Sequence, residues 1–241
     1  MTNKKSLRIL QLYPRDMNIY GDWGNALTLK RRAEWHGYDV EVTDYNPGDV
    51  LPTDVDLVVG GGGQDSGQIR IKEDLLAIGN QLTAWAEHDK PMLMICGMYQ
   101  LFGHFFQTKD GQRINGIGLL DVETYGSDDR MIGNIVTRSE QFGSIIGYEN
   151  HSGKTTLGQS AAPLGNVKKG DGNNGNDGTE GARYRNVIGT YLHGSLLPKN
   201  PRLADWLIEQ ACVQKYGEFT PTDIDDRFAD RARTIAAKRP R

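Results

Sequence analysis

Three short apolar runs, each closed by a turn and followed by helical spacing, constrain this chain more than any other feature. They are LRILQLY (Leu7–Tyr13), DVDLVV before four glycines, and PMLMIC, which ends at Cys96. Runs this short and this apolar read as strands buried on both faces. After the first run, ALTLKRRAEWHG has helical character and stops at Gly37, and YDVEVTDY then alternates as a strand. Between the second and third runs, Ile71, Leu75, Leu76, Ile78, Leu82 and Trp85 fall on helical spacing. Strand, helix, strand, strand, helix, strand, helix predicts an α/β chain: a parallel sheet with crossover helices on its faces.

From Asn115 the pattern changes. GIGLLDVETYG, RMIGNIVTR and SIIGYENHSGKTTLG read as consecutive strands, an antiparallel extension of the fold. Ala161 to Gly181 is rich in Gly, Asn and Asp and reads as a loop too polar to form a core. RNVIGTYLHG reads as a last strand ending at His193, and Pro201 opens a helix. The final stretch, DIDDRFADRARTIAAKRPR, is a charged amphipathic helix expected to fray at Pro240. There is no internal repeat and no linker, so residues 1–241 are expected to form one domain, with 221–241 a helical tail.

Composition narrows the function classes. The net charge is −3 over 241 residues, so no global basic field points to nucleic acid. The apolar run at the start is too short for a signal-peptide core, and no stretch approaches the roughly 20 residues of a membrane span. A soluble, cytoplasmic protein is expected. Cys96 and Cys212 lie far apart and make neither a disulfide framework nor a zinc site. His36, His88, His104 and His151 lack paired ligand spacing, so no metal is expected. GYENHSGKTT contains Gly-Lys-Thr, but five residues separate Gly147 from Gly153 where a P-loop needs four, and no helix signal follows.

Cys96 could be an ordinary buried thiol. Its place favours more: it ends a strand at the sheet edge where open α/β folds bind ligands. Gly97 permits a tight turn, and the following helix directs its N-terminus at the sulfur. This is the logic of a nucleophile elbow with cysteine in place of serine. His193 closes another predicted strand and is the candidate base. Gly60 to Gly63 close a third, where backbone N–H groups can approach a ligand as an oxyanion site; a loose turn or a phosphate cradle are the other readings.

With these parts in hand, the sequence resembles the class I glutamine amidotransferases. MICGMYQLFG resembles the elbow of their cobyric acid synthase-type branch, IIGYENHSGKTTLG its GYExHxGxT segment, and GTYLHG its histidine segment. NIYGDWGNALTLKRR, GGGGQDSGQ, GNNGNDGTEG and YLHGSLLPKNP resemble the small glutaminase subunits of lipid II isoglutaminyl synthases. The resemblance runs from about Leu7 to about Tyr216. It implies a flavodoxin-like parallel sheet and a thioester mechanism on L-glutamine with Cys96 as nucleophile and His193 as base. Backbone N–H groups near Gly62 and of Gly97 would hold the oxyanion. Gln100 would contact the substrate and Arg130 would hold its carboxylate, unless Arg130 is merely paired with Asp128 or Asp129. No cofactor is implied in this chain. The implied partner of the heterodimer is a Mur-ligase-like amidoligase subunit carrying ATP and Mg, which handles lipid II at the inner face of the membrane. The Gly165–Gly181 loop and the C-terminal helix are its candidate docking surfaces.

One position departs from the family pattern. Many class I amidotransferases carry a glutamate two residues after the histidine, and here that residue is Ser195. The next carboxylate, Asp205, is badly placed. The expectation is that the partner subunit supplies the group that orients His193; an unaided Cys–His dyad is the alternative. Asp22 and Asn25 end the first strand and either line the site or cap the next helix. Two other readings stand beside this one: an amidotransferase for a cobyrinic-acid-like acceptor, and a non-catalytic scaffold.

Overall fold

The computed structural model describes residues 4–240. Its first half follows the predicted order: β1 (Ser6–Leu12), α1 (Gly24–Trp35), β2 (Asp39–Tyr45), β3 (Leu57–Gly60), α2 (Asp65–Glu87), β4 (Met92–Ile95) and α3 (Gly97–Phe102). Then come β5 (Phe105–Gln107), β6 (Arg113–Asn115), β7 (Val122–Ser139), β8 (Gly143–Leu157), β9 (Gly165–Lys169), β10 (Thr179–Glu180), β11 (Ala182–Tyr184) and β12 (Val187–Thr190). Helices α4 (Pro201–Tyr216) and α5 (Arg227–Lys238) end the chain.

The central sheet has the order β11-β12-β4-β3-β1-β2. All its pairings are parallel except β11 with β12. Every residue of β3, β4 and β12 is buried, which explains their unbroken apolar character. Helix α2 buries Gly67, Gln68, Ile71, Leu75, Gly79, Leu82, Trp85 and Ala86, a single stripe at helical spacing. Proline at the first position opens α4, and Gly217, with φ 77°, closes it.

A second sheet, β10-β9-β7-β5-β6 with β8 paired to β7, forms the extension. Three sequence expectations change here. The first two predicted strands of this region are not separate: β7 runs through both, with its register to β8 shifting between Gly126 and Met131. Gly116–Leu120 is not strand at all; it lies along the end of α3, and the N–H of Ile117 and of Leu120 donate to Leu101 and Phe102. Ala161–Gly181 is not a coreless loop. It contains β9 and β10, and its polar side chains replace the missing backbone partners. Buried Asn173 both donates to the Gly181 carbonyl and accepts from the Gly181 N–H, each at 3.0 Å.

The tail is tied down. Arg32, 4% exposed, holds Asp205 of α4 at 2.6 Å and Asp226, just before α5, at 2.6 Å. Arg233 of α5 donates to the carbonyls of Ser144 and Lys199. One face of the C-terminal helix is therefore already occupied by this chain, while Phe228 and Ile235 remain exposed. Among the described residues, no helix is long and apolar enough to cross a membrane.

Candidate active site

Four adjacent parallel strands each deliver one piece of the site at the carboxyl edge of the sheet. The loop after β1 carries Asp22, the loop after β3 carries Gly62 and Gly63, Cys96 directly follows β4, and β12 leads to His193. His193 lies beyond the strand end rather than on it. Its backbone N–H donates to the Tyr148 carbonyl of β8 at 2.7 Å, which fixes the segment against the hairpin.

Cys96 sits at φ 50°, ψ −104°, a backbone conformation that a residue with a Cβ rarely adopts. The turn is closed on both sides. The Cys96 N–H donates to Thr190 at 2.8 Å, and its carbonyl accepts from Gln100 N–H at 2.9 Å. This is the sharp strand-to-helix turn that presents a side chain upward. A Cβ on Gly97 would meet Met17 Cε at 2.7 Å and Gly63 N at 3.1 Å, so the glycine loop after β3 packs directly against the start of α3.

His193 is completely buried, and its Nδ1 lies 3.1 Å from Asp22 Oδ2. The same carboxylate oxygen accepts the Gly62 N–H at 2.7 Å. Asp22 therefore fixes the Nδ1–H tautomer and leaves Nε2 free, with no hydrogen-bond partner among the described residues. Burial opposes charge on the imidazole. The negative charge and hydrogen bonding of Cys96, together with Asp22, outweigh it and push His193 up to about 10. His193 is thus favoured in its charged form.

A cavity of about 360 Å³ opens over Cys96, walled by Gly63, Gln100, Arg130, Asn150 and Tyr20. The acidic neighbours of Arg130 are taken by lysines: Asp128 by Lys109 and Asp129 by Lys154. Arg130 instead donates its Nε to Asn150 Oδ1 at 2.8 Å. Opposite, buried His151 stacks flat on Tyr191, with ring centroids 3.6 Å apart. Burial holds its pKa down to about 3, so it lines the cavity as a neutral wall.

The CobB/CobQ-like glutamine amidotransferase domain matches residues 8–201. The chain belongs to this family. It is 38% identical over 234 residues to the lipid II isoglutaminyl synthase (glutamine-hydrolyzing) subunit GatD of Staphylococcus aureus (strain N315), covering 97% of this chain and 96% of that one. It is 39% identical over 215 residues to the subunit of the same name from Streptococcus pneumoniae (strain ATCC BAA-255 / R6), covering 88% and 83%. Among solved structures, a glutamine amidotransferase shares the fold with a TM-score of 0.61 at 14% identity, covering 84% of this chain and 98% of that one.

Within this amidotransferase domain the structure brings Cys96, Gln100 and Arg130 to one cavity, while His193 and Gly97 are buried, His193 against the lining residue Tyr20 and Gly97 next to Cys96. Two expectations are corrected. The group orienting His193 is not left to a partner: Asp22 of the same chain reaches it. The Gly62 N–H is not free for an oxyanion, because it is spent on Asp22; the neighbouring Gly63 N–H has no hydrogen bond among the described residues, and its nitrogen lies close to Gly97. Gln100 lines the cavity, but its amide is already engaged, accepting from Gln68 Nε2 at 2.7 Å and donating to Tyr191 at 3.1 Å. Ser195, two residues after the histidine, has a task of its own. Its hydroxyl donates to the Gly21 carbonyl at 2.8 Å, next to Asp22. Asn25 neither caps α1 nor lines the cavity; its Oδ1 accepts the Leu197 N–H at 3.0 Å. Sequence reading missed Tyr20 and Asn150. The signal for Tyr20 was its place in a glycine-flanked turn after the first strand.

Proposed function

We propose that this chain is the glutaminase subunit of a two-subunit amidotransferase acting in peptidoglycan synthesis. The observation that carries the chemistry is Cys96 on its strained elbow beside a buried His193–Asp22 pair, under a cavity with an arginine on its wall. The Cys96 thiolate attacks the side-chain carbonyl carbon of L-glutamine. The N–H groups of Gly97 and Gly63 stabilise the tetrahedral oxyanion. The His193 imidazolium gives its proton to the departing amide nitrogen, which leaves as ammonia. Water, deprotonated by His193, then releases glutamate from the thioester. Arg130 holds the substrate's α-carboxylate.

The acceptor side rests on the relatives. Two proteins named as subunits of lipid II isoglutaminyl synthase match this chain over most of its length. Making an amide from a carboxylate and ammonia requires activation, so the partner is a Mur-ligase-like subunit that carries ATP and Mg. It phosphorylates the α-carboxyl of D-glutamate in the lipid II stem, and ammonia from Cys96 displaces the phosphate. The complex works in the cytoplasm, at the membrane face where its lipid-linked substrate lies.

The test is ammonia release from L-glutamine by tagged protein isolated from its host with whatever it binds, with Cys96→Ala as control. Cys96-dependent release, together with an ATP-dependent ligase in the same fraction, is the expected result. Equal release by both versions, or none by either with a partner present, would overturn the reading in favour of a scaffold.

A further inference from the structure

Tyr20 and Asn150 come from segments far apart in sequence, and they meet on the cavity wall. Tyr20 lies in the turn after β1 with φ 59°, left-handed without being glycine. Asn150 is on β8. Asn150 Nδ2 donates to the Tyr20 hydroxyl at 2.6 Å, and Asn150 Oδ1 accepts from Arg130 Nε at 2.8 Å. The Tyr20 ring stands edge-on to His193, with centroids 5.1 Å apart. A continuous chain, Arg130–Asn150–Tyr20, thus runs from the arginine to the base. Arg130 has no carboxylate partner among the described residues, and its two terminal nitrogens have no hydrogen bond there.

A guanidinium can receive a carboxylate on its Nε side or on the end formed by its two terminal nitrogens. Here Asn150 blocks the Nε side and leaves the end free. Both polar ends of the Asn150 amide are used, so its orientation is determined by its two partners. The strained turn holding Tyr20 fixes the far end of the chain. Strain of this kind persists where the surroundings over-determine the conformation, and it clusters at ligand sites.

We infer that Tyr20 and Asn150 are specificity-determining positioning residues, which aim Arg130 so that only a substrate with a free α-carboxylate is held with its amide carbon over Cys96. The inference rests on the glutaminase reading. It separates the pair from a merely structural contact, because the pair acts on carboxylate recognition and not on the chemical step.

The experiment uses the complex isolated from its host and compares L-glutamine with its α-carboxamide analogue, in which the α-carboxylate is replaced. Asn150→Ala should raise KM for L-glutamine about tenfold or more, the loss associated with a charge-assisted contact, and change kcat less than about twofold. The carboxamide analogue, which offers Arg130 no carboxylate, should react poorly with the wild type, and the ratio of kcat/KM for L-glutamine over the analogue should fall in the variant. Tyr20→Phe keeps the ring on His193 and removes only the hydroxyl; it should raise KM in the same direction by a smaller factor, and it serves should Asn150→Ala fold poorly. In an Arg130→Ala background, Asn150→Ala should add less than about twofold, since the two act as one unit. An unchanged KM in both single variants, equal losses on both substrates, or additive losses with Arg130→Ala would overturn the inference while leaving glutamine hydrolysis intact. A wild-type complex without Cys96-dependent hydrolysis would take down the glutaminase reading and this inference together.

Discussion

Asp22 decides how His193 behaves. Replacing its carboxylate with an amide removes one of the two neighbours that raise the imidazole, while burial, which lowers it, remains. The folded-state pKa of His193 in Asp22→Asn should fall below about 10. Loss of the imidazolium as pH rises through that pKa then begins earlier, so the alkaline limb of the glutaminase pH profile should move to lower pH. The rate at neutral pH should drop on the order of 10²- to 10⁴-fold, since the wrong tautomer is no longer excluded. Steady-state rates between pH 6 and 10 check both. Full activity in Asp22→Asn would show that the orienting group comes from elsewhere. At Gly62 the matter is space. A Cβ there would lie 2.5 Å from His193 Cε1, so Gly62→Ala should cut kcat about 10²-fold by displacing the ring, with the melting temperature little changed. Cys96 and His193 were legible in the sequence because each closes an apolar run. Asp22 was visible as a candidate and not as a partner: it lies 171 positions before His193, and only the order of strands brings them together.

Short elements carry charges whose partners decide their state. Glu180 on β10 is fully buried, accepting from the Thr190 hydroxyl at 2.7 Å and the Tyr191 N–H at 2.8 Å; its other oxygen has no hydrogen bond among the described residues. Burial raises its pKa to about 8 despite those two donors. An unfolded glutamate titrates near 4.5. The stability of the neutral form is therefore full below that pH and lost as pH rises through about 8. Glu180→Gln should match the wild type at pH 5 and melt higher at pH 8, with a difference on the order of a few kcal/mol; a constant gap across that range would mean the carboxyl is already ionised. At the other end, deleting Asp223–Arg241 strips Arg32 of Asp226 and removes the contacts that α5 makes with β8. Stability should fall by about 1–3 kcal/mol while KM for glutamine stays unchanged, because the cavity wall contains none of those residues. The long strands of the hairpin were only partly legible. A shift in register at Gly126 looks, in sequence, like the end of one strand and the start of another. The order of Ala161–Gly181 was hidden for a different reason: it comes from asparagine side chains bonding locally, which composition alone cannot distinguish from a polar loop.

Across the whole molecule, the parallel sheet was readable because burial on both faces leaves continuous apolar runs, and its carboxyl edge is where the pieces of the site meet. Which strands stand side by side was not readable, since that depends on crossovers and not on local pattern. Cys96 is a place where the architecture of the sheet edge is held against its own backbone preference. Alanine there would keep the unfavourable φ and glycine would relieve it, so Cys96→Gly should be more stable than Cys96→Ala by about 1 kcal/mol in thermal unfolding, although both lack the sulfur. The fold and the chemistry therefore favour different residues at position 96. In a laboratory lineage screened only for heat tolerance, glycine should accumulate there; screened for ammonia release, cysteine should persist. A nucleophile on such a turn is maintained only while its product is wanted, and a descendant released from that demand would lose it early.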